Sequence, residues 1–499
     1  MRDGTGGLMR QEQLRSVLVA GGGITAWCAA AALKRRAPFL DVAILRCTPS
    51  RDALADRIAC TLPSLLGFHD DLGIGAADGI ARTASGYRLG TLFSGWATVL
   101  PDYVHAYGRY GRSLGPTAFH LHWVRSVLEG ARAAPFDSHS PAAALARAGR
   151  FAPPMPETPF ADHEYGLTLD LPRYQTMMRA FALHVGVREI VGEIADFVRD
   201  TGDGIAAVEL ASGSRIVADL FVDATGPDAK LRGALDDVRD DWSAWLPCDR
   251  VLLAEGSAEP LVLTTAVAHP AGWRWSSGAQ SGFAYASGEI SDAKAARVLR
   301  NAAGTAPGEP IRVRPGTRPH PWLGNCIAIG DAATEVEPLE WCNLHLALSA
   351  IDRLIAMLPG RTPTRGEAAE FNRQTLAEAE RVRDFLALHY RVAQRDDPLW
   401  QAVAAAAVPP ASLSHTLAQF TERGRLPFYE EETFARDSWA AVLIGQGVLP
   451  RRIDPLVAAV PAAAAQTAMA RLTTEIAAAL PHIPTHAAYR AAQTRHLLP

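Results

Sequence analysis

Lysine is nearly missing from this 499-residue chain: only Lys34, Lys230 and Lys294 occur, and arginine supplies the rest of the 49 basic residues. Chemistry that needs a free amine therefore has three places to happen, because a guanidinium stays protonated. The six cysteines (Cys28, Cys47, Cys60, Cys248, Cys326, Cys342) are scattered, with no CxxC pair and no His/Cys cluster. That spacing offers neither a metal site nor a disulfide framework, and it fits reduced thiols in a cytoplasmic protein. FHLHW places His120 and His122 in metal-like alternation, but no third ligand accompanies them, so they read as core or strand histidines. Charge of one sign is not in excess either. A net charge of −4 gives no electrostatic reason to expect nucleic acid or an anionic membrane as partner. The opening MRDGTGGLMRQEQLRS has no apolar core of the signal-peptide kind, and no apolar run is long and clean enough to span a bilayer.

What is present is a set of three separated segments. VLVAGGGITAWCAAAAL joins an apolar strand (Val17, Leu18, Val19) to a glycine-rich turn and an alanine-rich helix. Gly21 and Gly23 allow a tight turn and close approach of backbone to a pyrophosphate. Ala26 stands where a small residue lets helix and strand pack, and the helix N-terminus faces the phosphate charge. FVDATG in mid-chain and CIAIGDAATEVEPLE beyond it each end an apolar strand in small residues, where a cofactor can lie close. Asp331, after CIAIG, is placed to accept from ribityl or ribose hydroxyls. Together the three segments imply a flavin-binding oxidoreductase.

The expected fold class is α/β: an FAD-binding Rossmann-like domain with the GxGxxG/A turn, an inserted antiparallel β sheet on the substrate side, and a helical C-terminal part. FLDVAILR is the second strand of the first βαβ unit. The stretch from Ala131 to Phe160 reads as an irregular excursion with a short helix, and YGLTLDLPRYQTMMRAFALHVGV as strand, turn and amphipathic helix. EIVGEIADFVRD and IAAVELASGSRIVADLFVDATG read as hairpins leading into the strand that ends at Gly226. LVLTTAVAHPAGWRWSSGAQSGFAYAS reads as further antiparallel strands, and the pattern after Glu340 is mostly helical. The domain expectation is therefore a discontinuous cofactor domain with inserted strands over residues 1–340 and a helical substrate-side domain over 341–499.

The motifs carry a resemblance over most of the chain. GGGITAWCAAAAL is similar to the GGGxAGWMxA opening of the flavin-dependent tryptophan halogenase family. GWRWSSGAQSGFAYAS is similar to its WxWxIP signature and following strand, while FVDATG, GDAATEVEPLE and SWAAVLIGQGVLP fall in family order. The resemblance implies an enzyme that takes reduced FAD from a separate reductase and uses O2 and halide to form hypohalous acid. That species passes through a tunnel to a small aromatic or tryptophan-containing substrate. In the family a lysine captures or orients the hypohalous acid, and a nearby glutamate positions it and stabilises the cationic arenium. Whether such a chain is a homodimer is left open.

Carried over residue by residue, the match is uneven. Glu340 in EPLE falls on the family glutamate. The lysine position, in GYRLGTLFSGW, holds Arg88, which could hold hypohalous acid or a substrate carboxylate but cannot form a chloramine. The family's Ser-Thr-Gly, whose amides and hydroxyl help bind halide, is replaced by Trp341, Cys342 and Asn343; the backbone of Cys342 and Asn343 remains the candidate halide cradle. Trp273 and Trp275 keep the two tryptophans that separate substrate from flavin, but Ser277 and Gly278 replace Ile-Pro. Arg46 stands at the end of the second strand, where an acid should take the ribose hydroxyls; there it would pack on adenine or pair with a phosphate. His105 and Tyr107 fall on a His-x-Phe pair lining the indole pocket, and Phe434 lies near another sandwiching aromatic. Two alternatives stay open: a flavin monooxygenase or oxidase on this scaffold, and a degenerate flavin-binding protein without turnover.

Overall fold

The computed structural model describes residues 13–83, 85–202, 204–256, 259–406 and 408–495. Most of the N-terminal stretch judged for a signal core, residues 1–12, lies outside them. The chain divides into two compact units. The first comprises Met1–Ala84, Leu169–Ser243 and Ile311–Glu380; the second comprises Ser85–Thr168, Ala244–Pro310 and Arg381–Pro499.

The first unit is built on a sheet in the order Trp322–Leu323, Cys326–Ala328, Leu220–Asp223, Ser16–Ala20, Asp41–Arg46, Arg188–Val191. All neighbours pair in parallel except the first two strands. The central strands are apolar over most of their length because helices cover the sheet: Ser16–Ala20 is followed by the helix Ile24–Arg36, whose first ten residues are all buried, and that helix packs on Leu171–His184. Alanine at positions 26 and 29–32 lets the helix lie close to its neighbours. Leu18, Leu45, Phe221 and Cys326 from the sheet close a core with Val208 and Leu210.

Two expectations change here. Arg188–Val191 is no hairpin strand. The crossover helix Leu171–His184 carries the chain back so that this segment joins the sheet in parallel with Asp41–Arg46. The antiparallel pairing begins only at Ile194–Arg199, which joins Ile205–Leu210 and Arg215–Ile216. The division between units also falls at 380/381 rather than 340/341, since the helix Cys342–Ala356 packs against Ile24–Arg36 inside the first unit.

In the second unit the strands follow the order Arg250–Glu255, Gln280–Tyr285, Gly272–Ser276, Leu263–His269, Gly90–Ser94, Tyr103–Ala106. All are antiparallel save the pair Leu263–His269 and Gly90–Ser94. Ser277 and Gly278, at the Ile-Pro position, make the hairpin turn between two of these strands. The Ser277 hydroxyl donates to the Gln280 carbonyl at 3.1 Å, and Gly278 has φ +82°, with space for a Cβ closed by the Glu259 carbonyl at 2.1 Å. Helices of this unit include Phe119–Leu128, Ala411–Arg423, Arg436–Gly445 and Ala462–Ala479. FHLHW is helical, not extended, so His120 and His122 diverge around the axis. His120 Nε2 meets the Gly424 carbonyl at 2.8 Å and His122 Nε2 meets Thr117 Oγ1 at 2.6 Å. Among the described residues no group of three or more His, Cys, Asp or Glu is disposed to hold a metal, and no helix is long and apolar enough to cross a membrane.

Candidate active site

Three glycine-bearing segments meet in the first unit at the C-terminal ends of the parallel strands, where open α/β sheets bind ligands. Gly21 has φ +149°, and a Cβ there would lie 2.5 Å from the Ala224 carbonyl oxygen and 2.8 Å from the Ala26 Cβ. Ala224 and Ala26 thus leave room for no side chain at Gly21. At Gly22 a Cβ would meet the Cys47 carbonyl at 2.1 Å. The FVDATG turn is set by the buried Asp223, whose carboxylate accepts from Thr225 N (3.0 Å), Leu231 N and Arg232 N (both 2.8 Å). This framework fits an adenine dinucleotide: two tight turns present backbone, with no side chain of their own, at the strand ends.

Some details differ from expectation. Asp331 is buried, and its Oδ2 accepts from Ala55 N at 2.8 Å; burial pushes its pKa well above the ordinary carboxylate range. It is held by the chain's own backbone. Arg46 donates to Glu189 at 2.5 Å, and Arg179 pairs with the same carboxylate, so Arg46 is anchored along the sheet edge. Most telling is Asp56, which no sequence motif marks. Its Oδ1 accepts from Thr25 N at 2.7 Å, and its Oδ2 lies 1.8 Å from where a Cβ on Gly23 would stand. The carboxylate therefore sits at the N-terminus of the helix that follows the glycine turn. Burial raises its pKa, and the amides of Thr25 and Ile24 pull the other way.

EPLEWC lies in the same unit. Glu340 and Trp341 both have left-handed backbones, φ 58° and 66°, and both side chains are buried. For residues with a Cβ this conformation costs about 1–3 kcal/mol each, and such strain gathers at functional sites. The helix Cys342–Ala356 begins immediately afterwards, so Cys342 and Asn343 present N–H groups that the helix itself does not use. The Asn343 Nδ2 donates to the Val336 carbonyl at 2.8 Å, and burial pushes the Cys342 thiol well up, keeping it neutral.

The remaining candidates converge in the second unit. Arg88 is fully buried. Its Nε donates to Thr264 Oγ1 and its Nη2 to Thr91 Oγ1, each at 2.7 Å, and Nη1 donates to the Tyr107 hydroxyl. The guanidinium carbon also lies 5.2 Å from the Tyr107 ring centre. His105 is 6.4 Å from Tyr107 and 6.3 Å from Phe434, ring centre to ring centre. Phe385, which no motif marks either, stacks on Phe434 at 4.0 Å and contacts His105 at 5.6 Å. Trp273 and Trp275 lie on one face of their strand, 5.2 Å apart and buried. The result is an aromatic wall beside a fixed cation.

Comparison with known proteins adds independent findings. A family model described as tryptophan halogenase matches residues 16–462. BrvH, a flavin-dependent halogenase from Brevundimonas sp. BAL3, superposes with TM-score 0.89 at 32% identity, covering 96% of this chain and 99% of that one. Xcc4156, a flavin-dependent halogenase from Xanthomonas campestris, gives TM-score 0.89 and 32% identity over 96% and 98%. Tryptophan 7-halogenase RebH of Lentzea aerocolonigenes is 27% identical over 429 residues, 78% of this chain and 79% of that protein.

Proposed function

The chain belongs to the tryptophan halogenase family, and on that premise we propose that it is an FAD-dependent oxidoreductase that uses reduced FAD, O2 and halide to halogenate an electron-rich aromatic. The observation that carries this reading is the likeness to two flavin-dependent halogenases over 96% of the chain. FAD would lie against the turns of Gly21, Gly23 and Ala26, with Asp331 and Arg46 at its margins. When bound in reduced form, it supplies the electrons that let O2 and halide yield an electrophilic halogen.

The chain's own residues do the rest. Glu340, fixed by a strained backbone at a helix start, holds a proton-bearing electrophile and offsets positive charge on the arene. Arg88, caged by Thr91, Thr264 and Tyr107, holds the oxygen of hypohalous acid or a substrate carboxylate by hydrogen bonds. His105, Tyr107 and Phe434 present stacking surface to the arene, and Trp273 and Trp275 add buried aromatic surface in the same unit. The first N–H groups of the helix at Cys342 and Asn343 receive halide. A separate reductase delivers the flavin, and a cytoplasmic location is the reading that the six buried free thiols support.

Glu340→Gln tests the assignment. It keeps shape while removing charge, so halogenated product should fall about 10²-fold or more with FAD affinity unchanged, read by mass spectrometry and flavin titration. Undiminished product would remove Glu340 from the mechanism.

A further inference from the structure

The helix Ile24–Arg36 begins at the glycine turn, and its first N–H groups are where a dinucleotide's pyrophosphate is received. Those groups are already engaged. The Asp56 carboxylate accepts from Thr25 N at 2.7 Å and from Ile24 N, and it lies against Gly23. The short helix Leu54–Asp56 that carries it is itself pinned to the third cofactor segment: Ala55 N donates to Asp331 Oδ2 at 2.8 Å. Upstream, Ser50 and Ala53 crowd the second, each 3.0 Å from where a Cβ on Gly226 would stand. One segment thus touches all three flavin motifs and places an anion on the donors that serve the cofactor's anion.

We propose that Asp56 is an internal competitor for the cofactor's pyrophosphate: its carboxylate caps the helix and must leave those amides when FAD binds. This rests on the flavin reading above. A carboxylate and a pyrophosphate cannot share two amides, and two anions at one helix terminus repel each other. Asp56 therefore lowers FAD affinity and quickens its release, which suits a protein loaded by a separate reductase. Riboflavin has no phosphate, so its binding is indifferent to Asp56.

The test is titration of wild-type protein, Asp56→Asn and Asp56→Gly with FAD and, in parallel, with riboflavin, followed by flavin fluorescence. Thermal unfolding of each variant reports folding, and Asp56→Asn, which retains a capping side chain, covers the case in which glycine unfolds the turn. Asp56→Gly should bind FAD about 10- to 100-fold more tightly than wild type, with Asp56→Asn between them and riboflavin unmoved. Equal FAD affinity in all three, or an equal gain for riboflavin, overturns the proposal and leaves the flavin reading intact. Folded proteins that bind FAD in no form overturn both.

Discussion

Arg88 shows how a single residue's surroundings narrow its chemistry. Its three hydroxyl partners hold the planar guanidinium in one orientation, and its permanent protonation leaves no free amine, so the role we propose for it is to orient a small oxygen-bearing species rather than to carry halogen on nitrogen. Arg88→Ala would take a charged donor away from each of those buried hydroxyls, a charge-assisted hydrogen bond being worth about 1.5–3 kcal/mol. We therefore predict a lower denaturation midpoint together with loss of product. Arg88→Lys should stay folded, because an ammonium can donate to all three, and its product rate separates a need for charge from a need for the planar fork. Trp341 poses a different balance. Trp341→Gly would relieve a left-handed strain of about 1–3 kcal/mol, but it removes a buried tryptophan worth about 3–5 kcal/mol. Packing wins, and equilibrium denaturation should show a net loss of about 2 kcal/mol; a gain would mean that the strain, not the packing, dominates.

At the scale of elements, glycine positions separate turn from filler. Gly22→Ala would drive a Cβ into the Cys47 carbonyl, 2.1 Å away, so the strand–turn–helix unit must deform and both stability and FAD binding should fall. Gly67 sits exposed in the helix Ser64–Leu72 with nothing within 4 Å of where a Cβ would stand, and Gly67→Ala should raise stability by about 0.5–1 kcal/mol. The helices Cys342–Ala356 and Arg365–Arg391 are joined through Glu378, which meets His345 at 3.2 Å, Ser349 at 2.7 Å and Arg353 at 3.2 Å, one turn apart along a single face. Burial alone would push Glu378 up, but hydrogen bonding and charge from His345 and Arg353 outweigh it and hold the carboxyl at about 2 against an ordinary 4.5. A depressed folded-state pKa stabilises above 4.5 and is lost as pH falls toward 2. Wild type should thus lose on the order of 3 kcal/mol over that window that Glu378→Gln does not lose, measured by denaturation at each pH.

For the whole molecule, legibility follows locality. The strand–turn–helix at Gly21 is legible because glycine spacing, apolar strand and alanine-rich helix are contiguous in sequence. Arg188–Val191 looks like a hairpin strand because its true partner lies across a crossover that alternation cannot report. The division at 380/381 is hidden because Cys342–Ala356 shows the same helical period whichever unit it joins. Phe385 and Asp56 are found through packing alone, each within its own unit: one stacks on Phe434 from a distant helix, the other reaches Thr25 from a short helix that carries no motif. Arg46 can be placed at its strand end, but its pairing with Glu189 depends on the same concealed edge strand.

The central claim is halide-dependent flavin chemistry, and it is tested by mixing the purified chain with chemically reduced FAD, air-saturated buffer and indole, with and without bromide, and analysing the product by mass spectrometry. Brominated indole formed only with protein and bromide, and lost in Glu340→Gln, is the predicted result. Flavin reoxidation that yields no brominated product, or an oxygenated indole formed equally without halide, would contradict it.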